Sequence, residues 1–198
     1  MLQVGRVGRP AGAGAPAGAS GFAETAELHG LDPRGYDFAA FAQALAEGYR
    51  ERAGDMRERG RALPGAAAIL AALDATEGVV QTVVSGNPRT VSLVKLAMFG
   101  LDTAIDFSLG AYGDDHTERP ELVRTARRLA GERHGVAFDR GNTFIVGDTP
   151  SDVDAGLRGG ATVVAVTTGN SDARELSGAA HVVADLSDTS AVTALLLG

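Results

Sequence analysis

The residues best placed for chemistry lie in the run Thr-Phe-Ile-Val-Gly-Asp-Thr-Pro-Ser-Asp, from Thr143 to Asp152. Phe144, Ile145 and Val146 form a short apolar run of the kind that makes a buried parallel strand. Gly147 ends it, Asp148 stands where strand becomes loop, and Pro150 to Asp152 open a helix. Asp148 and Asp152 therefore converge at the carboxyl end of a strand, where open α/β sheets bind ligands. Two hard oxygen ligands suit Mg2+, which takes one or two carboxylates and completes its shell with water and phosphate. An ordinary strand-to-helix turn with polar caps is the competing reading.

A second group gathers at Ser85-Gly86-Asn87-Pro88, after the β-branched run Val79 to Val84. The Ser85 hydroxyl and the backbone N–H groups of Gly86 and Asn87 can donate to a phosphate at a helix N-terminus, where the dipole favours an anion. Asn87 as a plain helix cap explains the same residues. Arg119 opens a helix behind the loop Asp114-Asp115-His116. A guanidinium there can neutralise a phosphoryl group, or serve as a solvated charge. The Asp114–His116 cluster has no metal-ligand spacing and reads as solvated loop.

These groups need elements to hold them, and the chain from Pro64 onward supplies them in alternation. Helices are expected at Ala66–Ala75, Thr90–Phe99, Arg119–His134, Ser151–Leu157, near Ala173 and at Thr189–Leu197. Strands are expected at Val79–Val84, Ala104–Leu109, from Thr143, at Thr162–Val166 and at His181–Ala184. Such alternation predicts a parallel sheet covered on both faces, with its functional loops along one edge. Before Pro64 the pattern is helical, at Phe22–His29 and at Tyr36–Ala53, where Phe38, Phe41, Ala42, Leu45 and Tyr49 share a face. Gly5 to Gly21 is low in complexity, with only Val7 and Ser20 outside Gly, Ala, Pro and Arg, and reads as irregular. Met1–Val4 is a weak candidate for a short strand. The expected units are 1–21, a helical unit over 22–63 and an α/β core over 64–198.

Composition narrows the partners. A net charge of −7 offers no basic excess for nucleic acid, and the absence of Cys removes disulfides, thiolate metal sites and thiol nucleophiles. The longest aliphatic run, Ala66–Leu73, falls far short of the ~20 residues of a membrane span. The N-terminus lacks the apolar centre of a signal peptide, so the cytoplasm is the expected compartment.

Taken in order, these pieces resemble the haloacid dehalogenase (HAD) superfamily, in particular its phosphoglycolate-phosphatase-like branch. The resemblance rests on Val84-Ser85-Gly86-Asn87, on Arg119-Pro120, and on Val146-Gly147-Asp148-Thr149-Pro150-Ser151-Asp152 continuing into Val153-Asp154-Ala155-Gly156. Leu63-Pro64-Gly65 resembles the return from a helical cap into the core, and Arg119 stands where the family more often has Lys. The resemblance implies a HAD-like Rossmannoid three-layer fold with a small helical cap. It implies a Mg2+-dependent phosphomonoesterase acting through an Asp nucleophile on a small phosphorylated metabolite, as a monomer or homodimer. Asp148 and Asp152 would serve the metal. Ser85 and Arg119 would act in catalysis and, with Gly86 and Asn87, bind the phosphate. A dehalogenase or a sugar-phosphate mutase is possible on the same fold.

One departure bears on activity. The family's first motif is an apolar strand ending in Asp-x-Asp near the N-terminus, and this chain has no Asp before Asp32. The central nucleophile strand is therefore expected to be missing or replaced, in a slot between the strands at Val79 and Thr143. Two accounts follow. In the first, the Gly5–Gly21 composition reflects out-of-frame translation of GC-rich DNA, with family-like register resuming near Phe22. In the second, the protein is a pseudoenzyme that binds phosphate without turnover.

Overall fold

The computed structural model describes residues 2–5, 22–23, 26–28, 30, 32, 35 and 37–198. The expectation for 1–21 falls largely outside them, as does part of that for 22–36.

In chain order the elements are β1 (Leu2–Gly5), α1 (Phe38–Glu51), α2 (Ala53–Arg59), α3 (Ala66–Asp74), β2 (Val80–Thr82), β3 (Val84–Ser85) and α4 (Arg89–Met98). There follow β4 (Ala111–Tyr112), α5 (Arg119–His134), β5 (Thr143–Gly147), α6 (Pro150–Gly159), β6 (Thr162–Val166), β7 (His181–Val183) and α7 (Thr189–Leu197). Five strands make one parallel sheet in the order β2-β1-β5-β6-β7, and β3 pairs with β4 beside it. The slot expected between the Val79 and Thr143 strands exists, and Leu2–Gly5 fills it: the central strand is replaced, not missing.

Strand alternation sorts the core. Phe144, Val164 and Val166 face α3 and α7, packing with Ile69, Leu73, Val192 and Leu196. Ile145, Val163 and Ala165 point the other way, onto Leu122, Val123 and Ala126 of α5 and Val153 of α6. The result is three layers, as the HAD-like fold class requires. Each fully buried Leu or Val side chain in them contributes about 2 kcal/mol. A third cluster of Val83, Leu96, Leu101 and Tyr112 seats α4.

Helices α1 and α2 are both tied to α4. Thr90 Oγ1 donates to Ala42 O at 3.4 Å, Arg57 Nε donates to Met98 O at 3.1 Å, and the Lys95 ammonium lies 4.6 Å from the Tyr49 ring centre. On the other side, three guanidiniums reach the last carbonyls of α6. Arg140 donates to Leu157 O at 2.8 Å, Arg124 to Arg158 O at 2.6 Å and Arg127 to Gly159 O at 2.8 Å. Helix-terminal carbonyls have no intrahelical partner and carry the negative end of the dipole, so this is where cations are most useful.

Three expectations are corrected. Ala104–Leu109 is a set of turns, because the Asp106 carboxylate accepts from both Ser108 N at 2.9 Å and Ser108 Oγ at 2.5 Å, a local closure that competes with a ladder. The strand forms two residues later, at Ala111–Tyr112. The helix expected near Ala173 is a single capped turn: Asp172 accepts from Arg174 N at 2.8 Å and Glu175 N at 3.0 Å, and the chain does not propagate beyond it. Val79–Val84 is not one strand, since the chain passes from the main sheet to the small one at Val83.

Candidate functional site

The site grows from the end of β5. Its residues Thr143, Phe144 and Ile145 are buried, and Gly147 closes the strand against the next helix. A Cβ on Gly147 would lie 2.5 Å from the Asp152 Cβ, so only glycine lets α6 start this close to the strand. Thr149 caps α6 in extended conformation, followed by Pro150 at the first turn. Its hydroxyl oxygen accepts from Asp152 N at 3.2 Å, and Asp152 Oδ2 accepts from Thr149 N at 3.2 Å, which completes a capping box.

Asp152 is a heavily bonded carboxylate. Oδ2 also accepts from Thr149 Oγ1 at 2.7 Å and Asp148 N at 3.3 Å, while Oδ1 takes Arg119 Nη1 at 2.9 Å. The structure thus joins Arg119, from the start of α5, to Asp152, from the start of α6. The Arg119 side chain keeps 26% of its surface exposed against 10% for Asp152, so the guanidinium sits at the mouth and the carboxylate beneath it. Asp148 is buried as well, and Gly169 of the loop after β6 lies against its carboxylate.

The second group sits across β1. Val4 is in register with Thr82 on one side and Ile145 on the other. Ser85 and Asp148 each stand three residues beyond those partners, so they flank the carboxyl end of the central strand. Ser85 is buried, and its Oγ accepts from Asn87 N at 3.1 Å and Asn87 Nδ2 at 3.2 Å. With both lone pairs used, the hydroxyl proton is left to donate. Asn87 therefore stands behind the serine, and its carbonyl accepts from Gly113 N at 3.0 Å.

Asp114 and Asp115 are exposed, as the solvated-loop reading expects, and each also accepts a backbone hydrogen bond. Asp114 Oδ2 accepts from Arg89 N at 2.6 Å, so the first N–H of α4 is occupied by a carboxylate, and Asp115 Oδ2 accepts from Tyr112 N at 2.8 Å. Tyr112, in register with Ser85, donates its hydroxyl to Phe107 O at 3.0 Å, and burial pushes its pKa up to about 12. The Ser108 hydroxyl holds the Asp106 carboxyl below its ordinary range.

The donor set fits some metals and not others. Among the described residues no group of three or more His, Cys, Asp or Glu side chains could hold an ion, which leaves out a closed protein cage. A buried Asp148 at a strand end, with a backbone cradle that a single Cβ would fill, fits an ion that takes few protein ligands. Mg2+, finished by water and phosphate oxygens, is of that kind. The hydrogen-bonding roles of Thr149 and Asp114 escaped the sequence reading, as did Gly169 altogether. Only Thr149 carried a local signal, the Thr-x-x-Asp spacing of a capping box.

A family model described as HAD-hydrolase-like matches residues 119–189, from the start of α5 to the start of α7. No curated protein sequence matches the chain. Among solved structures, a hydrolase from Pseudomonas syringae is similar at 21% identity with a TM-score of 0.63, covering 92% of this chain and 80% of its own. A HAD family hydrolase from Deinococcus radiodurans with bound phosphate and sodium has 23% identity and a TM-score of 0.55, over 89% and 74%. A beta-phosphoglucomutase from Clostridium difficile has 12% identity and a TM-score of 0.60, over 91% and 77%. The resemblance read from the motifs is borne out at the level of a HAD-like fold, and Arg119, Asp148 and Asp152 lie within the segment that the family model matches.

Proposed function

We propose that this chain binds a small phosphorylated metabolite together with Mg2+ on a HAD hydrolase scaffold, and that its phosphomonoesterase step is impaired. The observation that carries this reading is the central strand. Leu2–Gly5 contains no carboxylate, and Gly5 lies in register with Val146, two residues before Asp148. The position from which the family presents its nucleophile is therefore occupied by a strand ending in glycine.

The remaining residues suit recognition. Ser85 donates its hydroxyl to a phosphoryl oxygen, with Gly86 beside it and Asn87 holding the serine in place. Arg119, oriented by Asp152, presents its outer edge to the anion. Asp148 holds the metal, and Asp152 supports it by fixing Arg119 and the Asp148 backbone. Bound Mg2+ neutralises charge on the phosphoryl oxygens. Helices α1 and α2, tied to α4, act as a small cap that limits water and selects the substrate. The reading keeps the cytoplasm as compartment, a monomer or homodimer as assembly, and neither nucleic acid nor membrane as partner. Among the described residues no helix is long and apolar enough to cross a membrane.

Release of inorganic phosphate from a panel of small phosphomonoesters, with and without Mg2+, tests the reading, alongside calorimetric binding of inorganic phosphate. The expected result is Mg2+-dependent phosphate binding with little turnover. Fast Mg2+-dependent turnover that disappears in Asp148→Asn would show that another group serves as nucleophile and would overturn the impairment. A non-catalytic phosphate binder is the limiting case, favoured by the same carboxylate-free β1. It is distinguished by binding with no product at all.

A further inference from the structure

The loop after β6 touches the site, and no motif pointed to it. Thr167 anchors it to β7: its N–H donates to Val183 O at 3.1 Å and its Oγ1 to Ala184 O at 3.3 Å. Two residues on, Gly169 lies against Asp148. A Cβ built on Gly169 would fall 2.4 Å from Asp148 Oδ2, 3.0 Å from Cγ and 3.1 Å from Cβ. The first distance is roughly 1 Å inside ordinary contact.

The Gly169 backbone is not in the left-handed region, so conformation does not demand glycine here. Space does. The anchored Thr167 keeps the loop from backing away, and Asp148 is buried with its backbone N–H bonded to Asp152. A side chain at 169 would therefore be accommodated by turning the Asp148 carboxylate out of its present place.

We infer that Gly169 is a positioning residue: its bare backbone sets where the Asp148 carboxylate stands, and thereby how tightly Asp148 holds a divalent cation. The cation half rests on the metal reading given above; the steric half does not. Neighbours that orient a metal ligand commonly change affinity by about 10- to 100-fold when altered.

Four proteins test this: wild type, Gly169→Ala, Asp148→Ala and the double variant. Mg2+ affinity is measured by calorimetry and the melting temperature is measured without metal. Gly169→Ala is expected to weaken Mg2+ binding about tenfold or more. It should lower the melting temperature by about 4 °C when Asp148 is present and by less than about 1 °C in the Asp148→Ala background. Equal melting losses in both backgrounds, or Mg2+ affinity within about twofold of wild type, would overturn the inference. If wild type binds no Mg2+, the metal reading fails, and the thermal cycle still decides whether Gly169 and Asp148 are coupled. Should Gly169→Ala not fold, recovery of folding in the double variant supports the clash with Asp148, and failure of both overturns it.

Discussion

Replacing Arg119 with Met removes a guanidinium whose Nη1 lies 2.9 Å from Asp152 Oδ1. The carboxylate left behind is nine-tenths buried but keeps its bonds from Thr149 Oγ1, Thr149 N and Asp148 N. It therefore loses one charged hydrogen bond and keeps these others. A hydrogen bond to a charged group is worth about 1.5–3 kcal/mol, so the expected loss is about 2 kcal/mol. For a chain of this size that is a fall of about 4–8 °C in melting temperature. Asp152→Ala should cost more, because it also opens the capping box, which adds about 1 kcal/mol. A double-mutant cycle subtracts the cap and leaves the pair, with an expected coupling of about 1–2 kcal/mol. The same cycle on Arg128 and Glu132, 57% and 60% exposed, should give less than about 0.5 kcal/mol. Urea unfolding of each set of four proteins supplies the numbers. Additive losses at Arg119 and Asp152 would refute the view that this pair joins α5 to α6, and with it the orientation assigned to Arg119.

Two further outcomes are expected. Arg127 donates twice to Phe138 O and once to Gly159 O, so Arg127→Met should cost about 2–4 kcal/mol in urea unfolding, whereas Arg128→Met should stay within about 0.5 kcal/mol. Tyr112 has a folded pKa of about 12 against an ordinary value of 10.0, so its contribution to stability is complete below pH 10 and is lost as pH rises towards 12. Absorbance titration of the tyrosines should show a late phase that Tyr112→Phe removes, and a single phase near pH 10 in the folded protein would refute the burial argument.

Local signals determined much of this protein by themselves. Arg119–His134, Thr162–Val166 and Thr189–Leu197 appear with the bounds read from periodicity and caps, because each carries its own pattern and stop. The run from Thr143 to Asp152 likewise announced a strand, a loop carboxylate and a capped helix, since its apolar run is contiguous and its capping box closes within a few residues. Other features needed the folded chain. Met1–Val4 is only a weak candidate for a strand, and the central place of Leu2–Gly5 is conferred by β2 and β5, which offer a ladder on both sides. Asp106 and Ser108 turned a strand-like stretch aside once their side chains met. Asp114 reaches Arg89 N, and Gly169 reaches Asp148, across separations that no periodicity records. The sequence alone could place the carboxylates of the site on their elements. Which groups stand against them depended on long-range contacts, whose chain-entropy cost is met only when the whole sheet assembles.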